Sequence, residues 1–191
     1  VYGNRAYEKA LMELDAFALP HGMKVIAGAT FIGEHSFSTD EHPVAAGRPD
    51  DGDLAFAKEF GAKIMEKIQA AAGADTLYPV DVRAIKRPSQ PFFSLFRFLR
   101  KVVKLRKSGV PVPRAPWVKD ENLCTHCGVC AAHCPTGAIT KGNELAVDET
   151  KCIKCCACVK VCSRKAKVYD TPFAALLSDC FKKQKQPQTI L

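Results

Sequence analysis

Cys124-x-x-Cys127-x-x-Cys130-x-x-x-Cys134-Pro135 is followed in this chain by a second run, Cys152-x-x-Cys155-x-x-Cys158-x-x-x-Cys162-Ser163. Three thiolates on one tight loop can reach three irons of a single cubane. The fourth lies a short way along a helix, points away, and meets a neighbouring cubane. Two copies in tandem therefore predict two [4Fe–4S] clusters. One set of ligands is Cys124, Cys127, Cys130 and Cys162; the other is Cys152, Cys155, Cys158 and Cys134. Pro135 ends the first local turn and sets the chain direction. Structural zinc is the main rival, but zinc sites favour two ligands plus two across a longer gap. Here each run packs three ligands into seven residues. A disulfide framework fits a small secreted scaffold, a class nothing else here suggests.

Working outward, the 191 residues allow one or two domains. Hydrophobic residues make up 47% and charged residues 25%, the composition of an ordinary soluble globular protein. The apolar stretches are too short to span a bilayer. Ten cysteines in cluster spacing imply a reducing compartment, so a cytoplasmic location is expected, and oxygen-sensitive clusters suggest an anaerobic setting. The chain opens with Val1 rather than Met, and residues upstream are expected. Net charge is +8 and unevenly spread. From Val82 to Lys119 there is no Asp or Glu, while Arg83, Lys86, Arg87, Arg97, Arg100, Lys101, Lys104, Arg106, Lys107, Arg114 and Lys119 all fall there. A field of one sign is a partner-facing feature.

Residues 1–80 read as α/β, part of a parallel-sheet unit. Ala6 to Phe17 is a helix with Tyr7, Leu11, Leu14 and Ala18 on one stripe, broken by Leu19-Pro20-His21-Gly22. Met23 to Ile32 reads as a buried strand, and a further strand is expected to end at Val1-Tyr2. A second helix is expected from about Asp53 to Ala72, with Asp53 as N-cap and Phe56, Phe60, Ile64 and Ile68 on its buried face. Residues 81–118 read as a basic linker holding one amphipathic helix, Phe92 to Lys107, then a stiff Pro-rich segment. Residues 119–169 form the cluster domain, small enough that its metal centres supply much of the folding energy. Residues 170–191 are a tail with a short helix around Phe173 to Phe181 and a polar end.

The two cysteine runs resemble the bacterial two-[4Fe–4S] ferredoxin family. Val1-Tyr2-Gly3-Asn4-Arg5-Ala6-Tyr7-Glu8 is similar to the loop after the fourth strand of flavodoxins, which wraps the pyrimidine edge of FMN. That resemblance implies Tyr7 as the ring stacked on the flavin and Tyr2, Gly3, Asn4 and Arg5 as its neighbours on the cofactor. Ala46-Gly47-Arg48-Pro49-Asp50-Asp51-Gly52-Asp53 resembles the same family's fifth strand-to-helix connection. The whole order, together with Asp170-Thr171-Pro172-Phe173 and the Lys/Gln/Pro-rich ending, resembles a family of anaerobe fusion proteins, a flavodoxin-like domain followed by a dicluster ferredoxin domain. The fold this implies is α/β plus α+β: a partial flavodoxin-like parallel sheet, then a small ferredoxin-like dicluster domain. Three features depart from the pattern. Nothing in the chain matches the flavodoxin phosphate loop, Ser163 stands for the usual proline, and Cys156 stands for the usual glycine.

An electron carrier is the expected function, relaying charge between a flavin site and an external redox partner. The alternatives are an FMN-dependent iron–sulfur oxidoreductase acting on a small molecule, and an iron–sulfur subunit of a larger redox complex. No catalytic residue is singled out. Cys156 reads as a bystander thiol, with ligand exchange after oxidation as the sharper role. Cys180 reads as a small apolar residue of the tail helix. With the ligand count complete, His126 and His133 are expected to tune the clusters by hydrogen bonding rather than to ligate. His35 and His42 read as solvated. The basic helix has three readings: a cover for its own domains, a contact with an anionic membrane surface through residues 92–107, or a dock for an acidic redox partner. Nucleic-acid binding is not expected, for no recognised motif accompanies the charge.

Overall fold

Two groups of segments each pack within themselves in the computed structural model, which describes residues 7–89, 91–181 and 183–191. Among these described residues, the first unit spans 7–35, 43–96 and 180–191, and the second spans 36–42 and 97–179. Against the linear reading (1–80, 81–118, 119–169, 170–191), the second unit takes in a seven-residue loop from the N-terminal half, and the first takes in the end of the tail.

In the first unit, α1 (Ala10–Ala18) buries Leu11, and the chain turns at Leu19–His21 onto Gly22, whose φ of 71° suits glycine. Tyr7, Leu11, Val82 and Ile85 form its buried cluster, with Met12, Val25, Val80 and Ile190 packed against them. Burying side chains of this size contributes roughly 1.5–3 kcal/mol each. Leu14, expected on the buried stripe of the first helix, is exposed. β1 (Gly28–Thr30) is shorter than the strand read over Met23–Ile32. It pairs antiparallel with β4 (Gln188–Ile190), Gly28 opposite Ile190 and Thr30 opposite Gln188. Among the described residues both sheets are two-stranded and antiparallel, so the parallel pairing expected for residues 1–80 is not among these elements. The strand expected at Val1-Tyr2 lies outside the described residues.

α2 (Asp51–Ala70) starts two residues before the expected boundary. Asp50, not Asp53, is the N-cap: its carboxylate accepts from Asp53 N at 3.0 Å, and Asp53 accepts from Asp50 N at 2.9 Å. This reciprocal box satisfies two orphan N–H groups, which a single cap at Asp53 would not. Phe56, Phe60 and Ile64 are half-buried as the stripe predicts, while Ile68 is exposed. α3 (Phe92–Lys107) occupies the residues its periodicity marked, but none of its side chains is buried.

In the second unit, β2 (Trp117–Val118) pairs antiparallel with β3 (Lys167–Val168). The short helices α4 (Val129–Ala132) and α5 (Ala157–Lys160) pack on each other, and α5 also packs on β3. α6 (Pro172–Phe181) receives Arg97 and Lys101 of α3, which bond to the carbonyl and carboxylate of Asp179. The loop 36–42 is held by Phe37 against Tyr169, ring centroids 5.1 Å apart, and by Lys160 Nζ donating to Ser38 O at 2.8 Å. Among the described residues no helix is long and apolar enough to cross a membrane.

Candidate metal centre

Positive backbone φ angles recur in step along the two cysteine runs. His126 (51°) answers Lys154 (58°), Gly128 (76°) answers Cys156 (58°), and Gly137 (63°) answers Lys165 (51°), each pair 28 positions apart. The eight cysteines obey the same offset. The runs are therefore copies in backbone as well as in spacing. Each left-handed residue before α4 or α5 turns the chain so that the third cysteine, Cys130 or Cys158, enters a helix while the first two stay on the loop.

The fourth cysteines have matching surroundings. Cys134 Sγ accepts from Ala138 N at 3.2 Å and lies 3.7 Å from the Thr136 hydroxyl. Burial alone raises the Cys134 thiol, but the backbone N–H groups of Thr136, Ala138 and Ile139 and the Thr136 hydroxyl outweigh it and bring it below the ordinary thiol value. Cys162 behaves alike: burial is overcome by the N–H groups of Lys167, Ala166, Arg164 and Lys165. Both sulfurs thus have N–H donors that favour their charged form. Ser163 in place of proline leaves this donor set intact.

Cys134 lines one cavity together with Cys152, Cys155 and Cys158, and Pro116, Ile139, Val147 and Ile153 are among its apolar walls. This brings the fourth cysteine of the first run to the three leading cysteines of the second. Within it, burial first and then its neighbours Cys152 and Cys155 push the Cys158 thiol up to about 11. Cys156 shares this cavity, is pushed up to about 12 by the same causes, and donates to Lys154 O at 3.6 Å. Among the described residues no three His, Cys, Asp or Glu side chains form a group that could hold a single metal ion.

Two buried charges flank the runs. Glu144, 1% exposed, accepts from Gly142 N at 2.8 Å and sits 3.1 Å from His126 Nδ1. Its carboxyl is held below the usual range, first by that backbone N–H. Lys167, 3% exposed, has an ammonium with no hydrogen-bond partner. An unpaired buried cation is costly unless an anionic group lies beside it. Backbone donors aimed at Cys134 and Cys162 and this orphaned cation together fit an anionic, cysteine-ligated iron–sulfur cluster.

The other expected site residues fall as follows. His133 Nδ1 bonds to Val129 O at 2.9 Å, which ties the ring to its own helix. Cys180 is buried on α6, as expected of a small apolar residue. Tyr2, Gly3, Asn4 and Arg5 lie outside the described residues. Tyr7 belongs to the buried cluster of the first unit, and its hydroxyl donates to Lys86 O. It also lines a cavity of about 340 Å³ whose walls include Leu11, Met12, Val82, Lys9, Arg83 and Arg87. Sequence reading missed Lys167 and Glu144. Superposing the two runs would have exposed Lys167, which stands where the first run has Ile139; Glu144 carries no such signal.

Comparison with known proteins agrees with the cysteine geometry. Residues 117–140 match the 4Fe-4S binding domain family. Ferredoxin-1 of Chlorobaculum tepidum is 44% identical over 46 residues, a match covering 20% of this chain and 74% of that protein. A ferredoxin of Chlorobaculum thiosulfatiphilum is 41% identical over 46 residues, covering 20% of this chain and 75% of its own length. No solved structure matches the chain.

Proposed function

We propose a function from the premise that this chain belongs to the ferredoxin family through its C-terminal 4Fe–4S binding domain. Its role is iron–sulfur electron transfer. The finer reading is that it carries two [4Fe–4S] clusters with crossed ligands, Cys124, Cys127, Cys130 and Cys162 for one and Cys152, Cys155, Cys158 and Cys134 for the other. The observation that carries this is the shared cavity of Cys134 with Cys152, Cys155 and Cys158. When bound, each cluster supplies a one-electron couple. The chain's own residues hold the thiolates, aim N–H groups at Cys134 and Cys162, and keep water from Cys158.

Paired substitutions test the crossing. Cys134→Ala with Cys158→Ala removes two ligands of one cluster and should leave about half the iron. Cys134→Ala with Cys130→Ala strikes both clusters and should lose nearly all of it. The reverse ranking of iron content would refute crossed ligation.

A flavin partner in the same chain is a second reading, favoured by the Tyr7-lined cavity. Its lining of apolar side chains with Lys9, Arg83, Lys86 and Arg87 beside one acid, Glu8, suits a flat ring bearing a phosphate, and its volume lies in the range of cofactor pockets. On this reading the first unit is a flavodoxin-like layer and the chain relays electrons between FMN and an external partner. Stoichiometric flavin released on denaturing the purified protein supports it; iron with no flavin, even after incubation with FMN, removes it. The partner we infer is an acidic redox protein meeting the cationic side of α3, so the rate of electron delivery should fall steeply with added salt.

A further inference from the structure

The 28-residue repeat breaks its chemistry at one buried position. In the first run, the residue five places after the fourth cysteine is Ile139, 4% exposed and lining the cavity of Cys134, Cys152, Cys155 and Cys158. In the second run that place is Lys167, 3% exposed, on β3 opposite Val118. Both residues turn a backbone N–H toward the fourth cysteine of their run. Ile139 shows that this role needs no charge. The ammonium is therefore an addition to the fold, and a costly one, because Nζ has no partner among the described residues. The other buried charge nearby, Glu144, is engaged by Gly142 and His126.

We infer that Lys167 places a buried positive charge beside both clusters and raises their reduction potentials. Lys167 is a positioning charge, not a ligand. β3 packs on α5, which carries Cys158, and α5 packs on α4, which carries Cys130. Cys158 and Cys130 belong one to each proposed cluster, so the charge acts on both. Reduction adds one electron to a cluster and breaks no bond. The extra negative charge is stabilised by a cation fixed in a site of low dielectric, where salt screens little. The inference rests on the two-cluster reading above. Iron content reports on that reading and the potentials report on this one, so the two can fail separately.

The test uses the full chain with its clusters reconstituted. Midpoint potentials are measured by film voltammetry for the parent, Lys167→Met and Lys167→Arg, each with iron and sulfide counted. Lys167→Met should keep its iron yet make reduction at least about tenfold less favourable, a fall of roughly 59 mV or more for a one-electron couple. Lys167→Arg should restore most of the loss. Unchanged or raised potentials in Lys167→Met at full iron content overturn the inference, as does failure of arginine to restore them. A second measurement covers a Met variant that does not assemble. In the parent protein labelled isotopically at lysine nitrogen, one ammonium signal should be broadened and shifted by the iron centres. A full set of sharp, solvent-like lysine signals overturns the proposal without any substitution.

Discussion

Replacing Asp53 with Ala should destabilise the first unit far more than its neighbour Asp50 does. Asp53 makes a two-pronged bond to the Arg48 guanidinium, and the side chains are 2% and 8% exposed. It also closes the capping box of α2 through Asp50 N. Removing it leaves the buried guanidinium with only the exposed Asp50 carboxylate, 3.2 Å away, as counter-ion. Breaking a buried pair costs about 3–5 kcal/mol, and the remaining Asp50 contact holds this loss to about 3 kcal/mol, out of a total stability of about 5–15 kcal/mol. Asp50→Ala removes one cap bond and the exposed carboxylate's 3.2 Å pairing with Arg48, which keeps Asp53, and should cost about 1 kcal/mol. Far-UV ellipticity in urea reads all the helices, of which α2 is the longest described, while the fluorescence of Trp117, the chain's one tryptophan, reads the second unit. The pH dependence has a definite sign. The Asp53 carboxyl is held below its ordinary value, first by the Arg48 hydrogen bond, with burial opposing. Its stabilisation is therefore complete above the unfolded carboxylate pKa of about 3.9 and is lost as pH falls through the lower folded value. Asp53→Asn should lack that acid-sensitive component. Equal costs for Asp53→Ala and Asp50→Ala would refute the reasoning, as would an unaltered acid transition in Asp53→Asn.

Other outcomes follow from single features. Cys156 holds a left-handed φ of 58° where the other run has Gly128, so Cys156→Gly should be more stable than Cys156→Ala by about 1 kcal/mol. Comparing the rates at which the two variants lose visible absorbance on heating checks this, and a longer-lived Ala variant counts against it. Phe92, Leu99 and Val103 are exposed on α3, so Ser at all three should shift the unfolding midpoint little, within about 0.5 kcal/mol per site; a large loss would mean the helix covers its own protein after all. Lys67 Nζ donates to Ile26 O at 2.8 Å, and Lys67→Met should cost about 1 kcal/mol in urea unfolding of the first unit.

Much of the site was legible because its information is local. The offsets between cysteines decide which sulfurs leave a loop together. The helices over 92–107 and near 173–181 were equally readable, since period and length are properties of a short window. The α2 boundary was misread by two residues because Asp50 and Asp53 both look like caps, and only their reciprocal bonds separate the roles.

What the amino-acid order determined by itself is the spacing of the thiols, two equal registers with a fourth cysteine set apart in each. What tertiary structure decided are the pairings between distant segments. The tail strand Gln188–Ile190 joins Gly28–Thr30, and the loop 36–42 reaches Tyr169 and Lys160. Burial likewise became visible only there. Glu144 and Lys167 look like solvated charges in a sequence, and they acquire meaning once the chain has taken water away from them. Backbone pairing carries no side-chain code, and the desolvation of a charge depends on every segment packed around it. Neither quantity exists in a local window.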